Sequence, residues 1–196
     1  MYRYFIKSFI DYVLSFIAMI LLFLVFIIIA IMIKLSSPGP VFFTQNRIGK
    51  NKKIFKIYKF RTMRVDTPKD APTHLLQNPD YYITKIGKFL RKSSLDELPQ
   101  IINIIKGDMS IIGPRPALWN QDDLIEERDK YGANNIKPGL TGLAQISGRD
   151  ELEISIKAKL DGDYTKKITF LRDCKIFFKT IFSVVKSDGV VEGEQE

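Results

Sequence analysis

From Tyr12 to Ile33 the chain is an almost unbroken run of apolar residues, with Ser15 the one interruption. About 20 such residues suffice to cross the hydrocarbon core of a bilayer, so the run reads as a helix kept in lipid. No small-residue cleavage site follows it, which marks it as retained rather than removed as a leader. Arg3 and Lys7 precede the run and Lys34 follows it. The positive-inside rule therefore sets no single direction, and a chain with both ends in the cytoplasm satisfies it. Ser36-Ser37-Pro38-Gly39-Pro40 ends the helix and opens the remainder of the chain.

At 196 residues the chain has the length of one domain with a membrane element attached. The expected division is a membrane helix over residues 1–35, one folded domain over 36–188 and a flexible tail over 189–196. The net charge of +8 is concentrated between Lys34 and Lys92, where fourteen Lys and Arg face only Asp66, Asp70 and Asp80. A basic segment directly after an apolar helix suits the cytoplasmic face of a membrane, beside anionic lipid or a phosphorylated substrate. Nucleic acid is disfavoured, because neither a base-stacking motif nor a helix-turn-helix pattern accompanies the charge. Cys174 is the single cysteine, which excludes an intramolecular disulfide and a cysteine-based zinc site. It reads as a packing residue, and the lone His74 as a solvated loop residue.

The periodicities predict an α+β, mostly helical fold. Val41 to Arg47 and Ile54 to Arg61 read as the strands of a small hairpin about Gly49-Lys50-Asn51-Lys52. Lys56, Lys59 and Arg61 lie on or just beyond its second strand, where cations either solubilise an edge or meet phosphate. Asp66 to Asn78 is polar and aperiodic and reads as a mobile loop. Tyr81 to Lys92 has the pattern of a basic amphipathic helix, suited to the core or to the lipid interface. A charged helix is expected over Asn120 to Tyr131, and its four carboxylates read as a solvated face rather than a metal site. Two further amphipathic helices are expected over Glu153 to Asp163 and Thr169 to Lys186. Between them and the charged helix, Lys137-Pro138-Gly139 through Gly148-Arg149 is a Gly-rich stretch whose amides could approach a phosphate or nucleoside.

The strongest chemical signal runs from Ser93-Ser94-Leu95-Asp96-Glu97-Leu98-Pro99-Gln100 through Gly107-Asp108-Met109-Ser110 to Gly113-Pro114-Arg115-Pro116. Ser94 to Glu97 fits a capping box, a purely structural use of the acids. Pro99 fits such a helix poorly and suggests a start at Pro99, with Ile101, Ile102, Ile104 and Ile105 turned inward and Gly107 as the stop. Either way Asp96 and Glu97 lie near a helix N-terminus, which favours ionised carboxylates. Arg115, clamped between prolines, could grip phosphate with its guanidinium or pair with Asp108 to pin a turn.

These strings, with Phe43-Thr44-Gln45-Asn46-Arg47-Ile48-Gly49, Phe55 to Met63, Lys137 to Gly142 and Gln145 to Arg149, resemble the bacterial monotopic phosphoglycosyl transferases, or bacterial sugar transferases. The resemblance covers nearly the whole chain, to about Lys186. It implies transfer of a sugar-1-phosphate from a UDP-sugar to polyprenol phosphate through an aspartyl-phosphosugar, with release of UMP and with Mg2+ as cofactor. On that basis Asp96 is the nucleophile, and Asp96 with Glu97 holds the metal. Lys59, Arg61, Arg91 and Arg115 become candidates for phosphate and Arg149 for the nucleotide or phosphate. It also implies a re-entrant membrane helix broken by a Ser-Pro pair, at positions occupied here by Phe23 and Leu24. The implied setting is the bacterial inner membrane and its lipids, with the catalytic domain on the cytoplasmic face, a possible homodimer and downstream glycosyltransferases as partners. A non-catalytic, membrane-anchored module that binds anionic lipid or polysaccharide is the competing expectation. It accounts for the charge and the apolar helix but supplies no use for the Asp96-Glu97 and Pro114-Arg115-Pro116 pair.

Overall fold

The structure, a computed structural model, describes residues 1–67, 79–148 and 152–186. The expected loop over Asp66 to Asn78, with His74, lies almost wholly outside the described residues, as do Arg149 and the tail. After a π-helical turn at Tyr2–Ile6 the chain forms α1 (Lys7–Leu21) and α2 (Phe23–Ser36). Next come an antiparallel hairpin of β1 (Phe42–Ile48) and β2 (Ile54–Phe60), the helical turn α3 (Pro79–Tyr82), α4 (Lys85–Lys92), a 3-10 turn at Leu95–Glu97 and α5 (Gln100–Lys106). The remainder is β3 (Ser110–Ile112), α6 (Asp122–Asp129), β4 (Gly139–Thr141), α7 (Ile154–Lys166) and α8 (Phe170–Lys186). The mostly helical α+β expectation is met.

The apolar run is two helices. The interruption falls at Leu22, with φ −92° and ψ 2°, immediately before the Phe23-Leu24 pair and without a proline. What bends the chain there is anchorage at both ends. On α1, Lys7, Asp11 and Ser15 form one buried face at helical spacing. The Lys7 ammonium donates to Asp173 of α8 at 2.8 Å, and Asp11 accepts from the Ser110 hydroxyl at 2.7 Å and from the Ile111 amide at 3.2 Å. On α2, Ile29 and Ile33 pack with Phe60 and Leu90, and the Phe26 ring meets Phe60 edge-on at 5.2 Å. Both ends of the apolar run are thus packed on the rest of the chain. Leu21, Phe23 and Leu24 at the turn are 73%, 62% and 66% exposed. An apolar tip so exposed has the character of a lipid-facing surface.

The strand pairing runs from Phe42 opposite Phe60 to Ile48 opposite Ile54, within one residue of expectation. A second sheet was not legible in the sequence: β3 and β4 pair in parallel, Ser110 with Gly139 and Ile112 with Thr141. Its strands are three residues each, too short to show a period. This pairing takes the Gly139 amide of the Gly-rich stretch into the backbone structure. The Gly139 amide donates to the Pro114 carbonyl at 2.8 Å and the Gly113 amide to the Thr141 carbonyl at 2.8 Å. A Cβ on Gly139 would stand 2.1 Å from the Gly113 nitrogen, so glycine is required here for backbones to touch.

The amphipathic helix expected from Tyr81 is shorter. Thr84 caps α4 by accepting from the Gly87 amide at 2.9 Å, and the residues before it form the separate α3. α6 is less solvated than its acids suggest, since Leu124, Ile125 and Arg128 are buried. Arg128 makes two hydrogen bonds to Asp161 of α7, at 2.9 and 2.6 Å. α8 carries Phe170, Leu171, Phe177, Phe178, Ile181 and Phe182 exposed on its surface, a second apolar area besides the hairpin tip.

Candidate functional site

The carboxylate stretch folds otherwise than as a capping box. Ser94 adopts the left-handed conformation (φ 56°, ψ 15°), closes α4 through its amide on the Arg91 carbonyl, and makes no side-chain cap. Leu95–Glu97 is one 3-10 turn, Pro99 is the N-cap of α5, and α5 stops at Gly107 in the left-handed conformation. The expected start at Pro99 and stop at Gly107 are therefore met. Of the four isoleucines expected to turn inward, Ile101 and Ile104 are buried and Ile102 and Ile105 half-buried. The fully buried Asn103 takes a place on that face. Its amide donates to the Lys56 carbonyl at 2.8 Å and its oxygen accepts from the Tyr58 amide at 3.0 Å. Asn103 thus pairs the exposed edge of β2 and fixes α5, with the acids before it, against the strand bearing Lys59.

Glu97 is the charged centre of the arrangement. Its Oε1 accepts from Lys59 Nζ at 2.7 Å and from Arg115 Nη2 at 2.8 Å, while Oε2 receives a longer contact from Arg115 Nη1 at 3.4 Å. Burial works against the charge on Glu97, but Arg115 and Lys59 outweigh it and hold the carboxyl well below the usual carboxylate range. Arg115 accordingly pairs with Glu97 and not with Asp108.

Asp96 is treated differently by its surroundings. It is 8% exposed, its Oδ2 lies 4.0 Å from Lys59 Nζ, and it accepts no hydrogen bond among the described residues. Burial pushes its carboxyl up against the pull of Lys59, and the neighbouring charge of Glu97 adds to the rise. This corrects the expectation that the helix terminus would favour both anions alike. A desolvated carboxylate with few hydrogen bonds is a reactive oxygen nucleophile once ionised.

Of the other expected residues, Arg91 is near enough to act on Asp96 electrostatically, and its Nε donates to the Thr62 hydroxyl at 3.0 Å. Arg61 is spent elsewhere. Its guanidinium donates to the Pro38 carbonyl at 2.6 Å and to the Ser37 carbonyl and hydroxyl at 2.8 and 3.0 Å, locking the exit of α2 onto the hairpin. Arg149 lies outside the described residues. Arg47 is a site residue not singled out as a candidate in the sequence, although it stands in one of the quoted strings. It donates to the Pro116 carbonyl at 3.1 Å and to Gln45 at 2.8 Å. Burial, with the charge of Arg115 beside it, lowers its guanidinium to about 10. The Ile48 amide, donating to the Ala117 carbonyl at 2.9 Å, ties the same loop to β1. Arg47 therefore braces the turn that carries Arg115.

Four cations, Lys59, Arg91, Arg115 and Arg47, thus surround two carboxylates, an excess of positive charge suited to phosphate. The acids also fit magnesium. That ion takes one or two carboxylates and completes its shell with water and substrate phosphate, and both Asp96 and Glu97 Oε2 retain acceptor capacity. No group of three or more His, Cys, Asp or Glu gathers as a metal cage among the described residues.

The chain thus combines exposed apolar helices with a cation-rich carboxylate pair. The chain belongs to the bacterial sugar transferase family, whose model matches residues 2–187. It is 44% identical over 161 residues to the UDP-glucose:undecaprenyl-phosphate glucose-1-phosphate transferase of Escherichia coli, covering 79% of this chain and 34% of that protein. It is 38% identical over 193 residues to the UDP-N-acetylgalactosamine-undecaprenyl-phosphate N-acetylgalactosaminephosphotransferase of Aeromonas hydrophila, covering 94% of this chain and 45% of the other. The exopolysaccharide production protein ExoY of Sinorhizobium fredii is 36% identical over 197 residues, covering 93% of this chain and 87% of that one. The chain spans between about a third and a half of the first two relatives' length.

Proposed function

We propose that this chain is a phosphoglycosyl transferase that moves a sugar-1-phosphate from a UDP-sugar to undecaprenyl phosphate, at the start of the lipid-linked assembly of a polysaccharide or other glycoconjugate. The observation that carries the reading is the contrast between adjacent acids: Glu97 clamped by Lys59 and Arg115, and Asp96 buried without a hydrogen bond among the described residues. One acid holds the cations in position and the other is left to react.

In the proposed sequence an Asp96 carboxylate oxygen attacks the β-phosphorus of the UDP-sugar. The bond from that phosphorus to the bridging oxygen breaks, and UMP departs with the electron pair. A phosphate oxygen of undecaprenyl phosphate then attacks the same phosphorus and returns Asp96 to its free carboxylate. Lys59, Arg91 and Arg115 would stabilise the charge that builds on the phosphoryl oxygens in both steps. Asp96 and Glu97 would hold magnesium, which when bound neutralises the diphosphate and steadies the leaving phosphate. The apolar hairpin has a chemical purpose in this scheme. The acceptor's chain stays in lipid while its phosphate waits at headgroup depth, and lifting that chain out would cost about 0.8 kcal/mol for each CH₂ exposed. The setting that suits these substrates is the cytoplasmic face of the bacterial inner membrane.

The test is trapping. Protein mixed with donor alone, quenched and digested, is expected to yield an Asp96-containing peptide carrying a sugar-phosphate, with release of UMP, and Asp96→Asn is expected to yield neither. Donor turnover only when the lipid is also present, with no modified peptide under any quench, would refute the covalent route. A protein that releases no UMP from any UDP-sugar with undecaprenyl phosphate would leave the binding-module reading in its place.

A further inference from the structure

A second basic site is lined by no residue of the carboxylate site. A cavity of about 130 Å³ opens where the start of α1 meets the hairpin turn and the chain before β4. By the ~30 Å³ that a water occupies in the liquid, it has room for roughly four waters, or for one phosphate group. Arg3 and Lys7 reach it from the first helix, Lys50 from the turn between β1 and β2, and Lys137 from the segment entering β4. Asp11 is the single acid in its wall, and its charge is already met by the Ser110 hydroxyl, the Ile111 amide and Lys7 at 4.0 Å. Lys7 in turn is held by Asp173.

The other three cations are uncompensated. Arg3 lies over the Tyr4 ring at 5.7 Å, and among the described residues neither Arg3, Lys50 nor Lys137 makes a hydrogen bond or ion pair to an acid. Three charges brought together from separate parts of the chain repel one another, and an anion between them removes that cost. The cavity is separate from the Asp96 site. Lys137 stands beside Gly107 at the far end of α5, whose seven residues span about 10 Å at ~1.5 Å each. None of Lys59, Arg91, Asp96, Glu97 and Arg115 lines the cavity.

The surroundings of the mouth identify the source of the anion. Tyr4, in the cavity wall beside Arg3 and Ser8, is 71% exposed, and Phe5 and Phe9, on the same turns but outside the wall, are 76% and 69% exposed. Aromatic rings beside basic side chains are the composition of a lipid–water interface. An anion held in a bilayer would bring these rings into the interface with it, whereas free phosphate would leave them in water. We propose that this cavity is a headgroup site, in which Arg3, Lys50 and Lys137 bind the phosphate of an anionic membrane phospholipid. Such a lipid would bridge the first helix to the catalytic domain and hold the two together at the bilayer surface, independently of any chemistry at Asp96.

The experiment uses the full chain in nanodiscs of phosphatidylcholine with or without phosphatidylglycerol. Phosphatidylglycerol retained by the protein is read by native mass spectrometry, and the thermal midpoint is read in parallel. Wild type is expected to retain phosphatidylglycerol and to melt higher in its presence. The variant Arg3→Gln/Lys50→Gln/Lys137→Gln should retain at least about tenfold less, given the attraction of several cations to an anionic headgroup. Lys130→Gln/Lys159→Gln/Lys166→Gln, which removes the same charge from the α6–α7 surface, should behave as wild type. Should the triple variant fail to melt cooperatively, Lys137→Gln alone must still lower retention, and Lys50→Arg/Lys137→Arg must preserve it. Equal retention by the triple variant and wild type overturns the proposal. So does a wild-type midpoint raised by inorganic phosphate in phosphatidylcholine discs but not by phosphatidylglycerol, which would make the cavity a site for a free anion.

Discussion

Replacing Asp96 by Asn should make the protein more stable while stopping transfer. Asn keeps the side chain's shape and removes its charge, so the comparison isolates the cost of holding an anion at an 8%-exposed position. Two opposing quantities set that cost. Desolvating a carboxylate costs several kcal/mol even after relaxation. Lys59 at 4.0 Å returns about 4 kcal/mol at the effective dielectric typical of protein sites, but that ammonium lies nearer to Glu97, at 2.7 Å. Glu97 also repels its neighbour. The carboxyl's upward shift shows that desolvation and repulsion win. Removing the charge should therefore gain about 1–2 kcal/mol, the usual yield of relieving a strained functional position. At about 2–4 °C per kcal/mol for a chain of this size, the midpoint should rise by about 2–8 °C.

The pH dependence supplies a second reading of the same prediction. An acid whose folded pKa is raised contributes most below its unfolded value, and that contribution is lost as pH rises through the folded value. The advantage of Asp96→Asn should accordingly grow as pH rises and close as pH falls toward the ordinary aspartate value of about 4. Glu97, shifted downward, loses its own contribution on acidification in both proteins. Thermal unfolding in detergent micelles, followed by far-UV circular dichroism at several pH values, measures the gap. A variant that melts at or below wild type at neutral pH, or a gap that persists unchanged in acid, would refute the account of Asp96 as a buried and poorly solvated anion.

Other substitutions test other contacts. Arg115→Ala should lower turnover by about tenfold or more, the worth of a charged phosphate contact; steady-state release of UMP reads it, and an unchanged rate would remove Arg115 from the site. Arg128→Met leaves Asp161 buried without its partner and should cost about 3–5 kcal/mol in denaturant unfolding. A loss under about 1 kcal/mol would show that water reaches Asp161. Gly139→Ala places a methyl 2.1 Å from the Gly113 nitrogen and should cost at least about 1–3 kcal/mol. Because Pro114 and Arg115 follow Gly113, this substitution should lower turnover together with stability, and full activity in a destabilised protein would separate the small sheet from the site.

Much of this protein is written in local pattern. The apolar run, the hairpin strands, the helix from Pro99 to Gly107 and the two C-terminal helices follow from spacing and from turn residues, because each is decided by a few neighbours in sequence. The acidic pair and the Pro-flanked Arg115 were equally visible, since their residue types occur together in one short stretch. Other features depend on residues distant in the chain. Nothing near Leu22 breaks the apolar helix; its ends are held by Asp173 and Ser110 on one side and by Phe60 and Leu90 on the other. Three-residue strands carry no period, so β3 and β4 form only when Gly113 and Gly139 meet. Asp96 and Glu97 are neighbours of like charge, and sequence treats them alike. Their difference arises because Lys59 and Arg115, 38 and 18 residues from Glu97, arrive on its oxygens and leave Asp96 desolvated. Electrostatic environment is a sum over everything packed around a group, so it becomes definite only once the chain has folded.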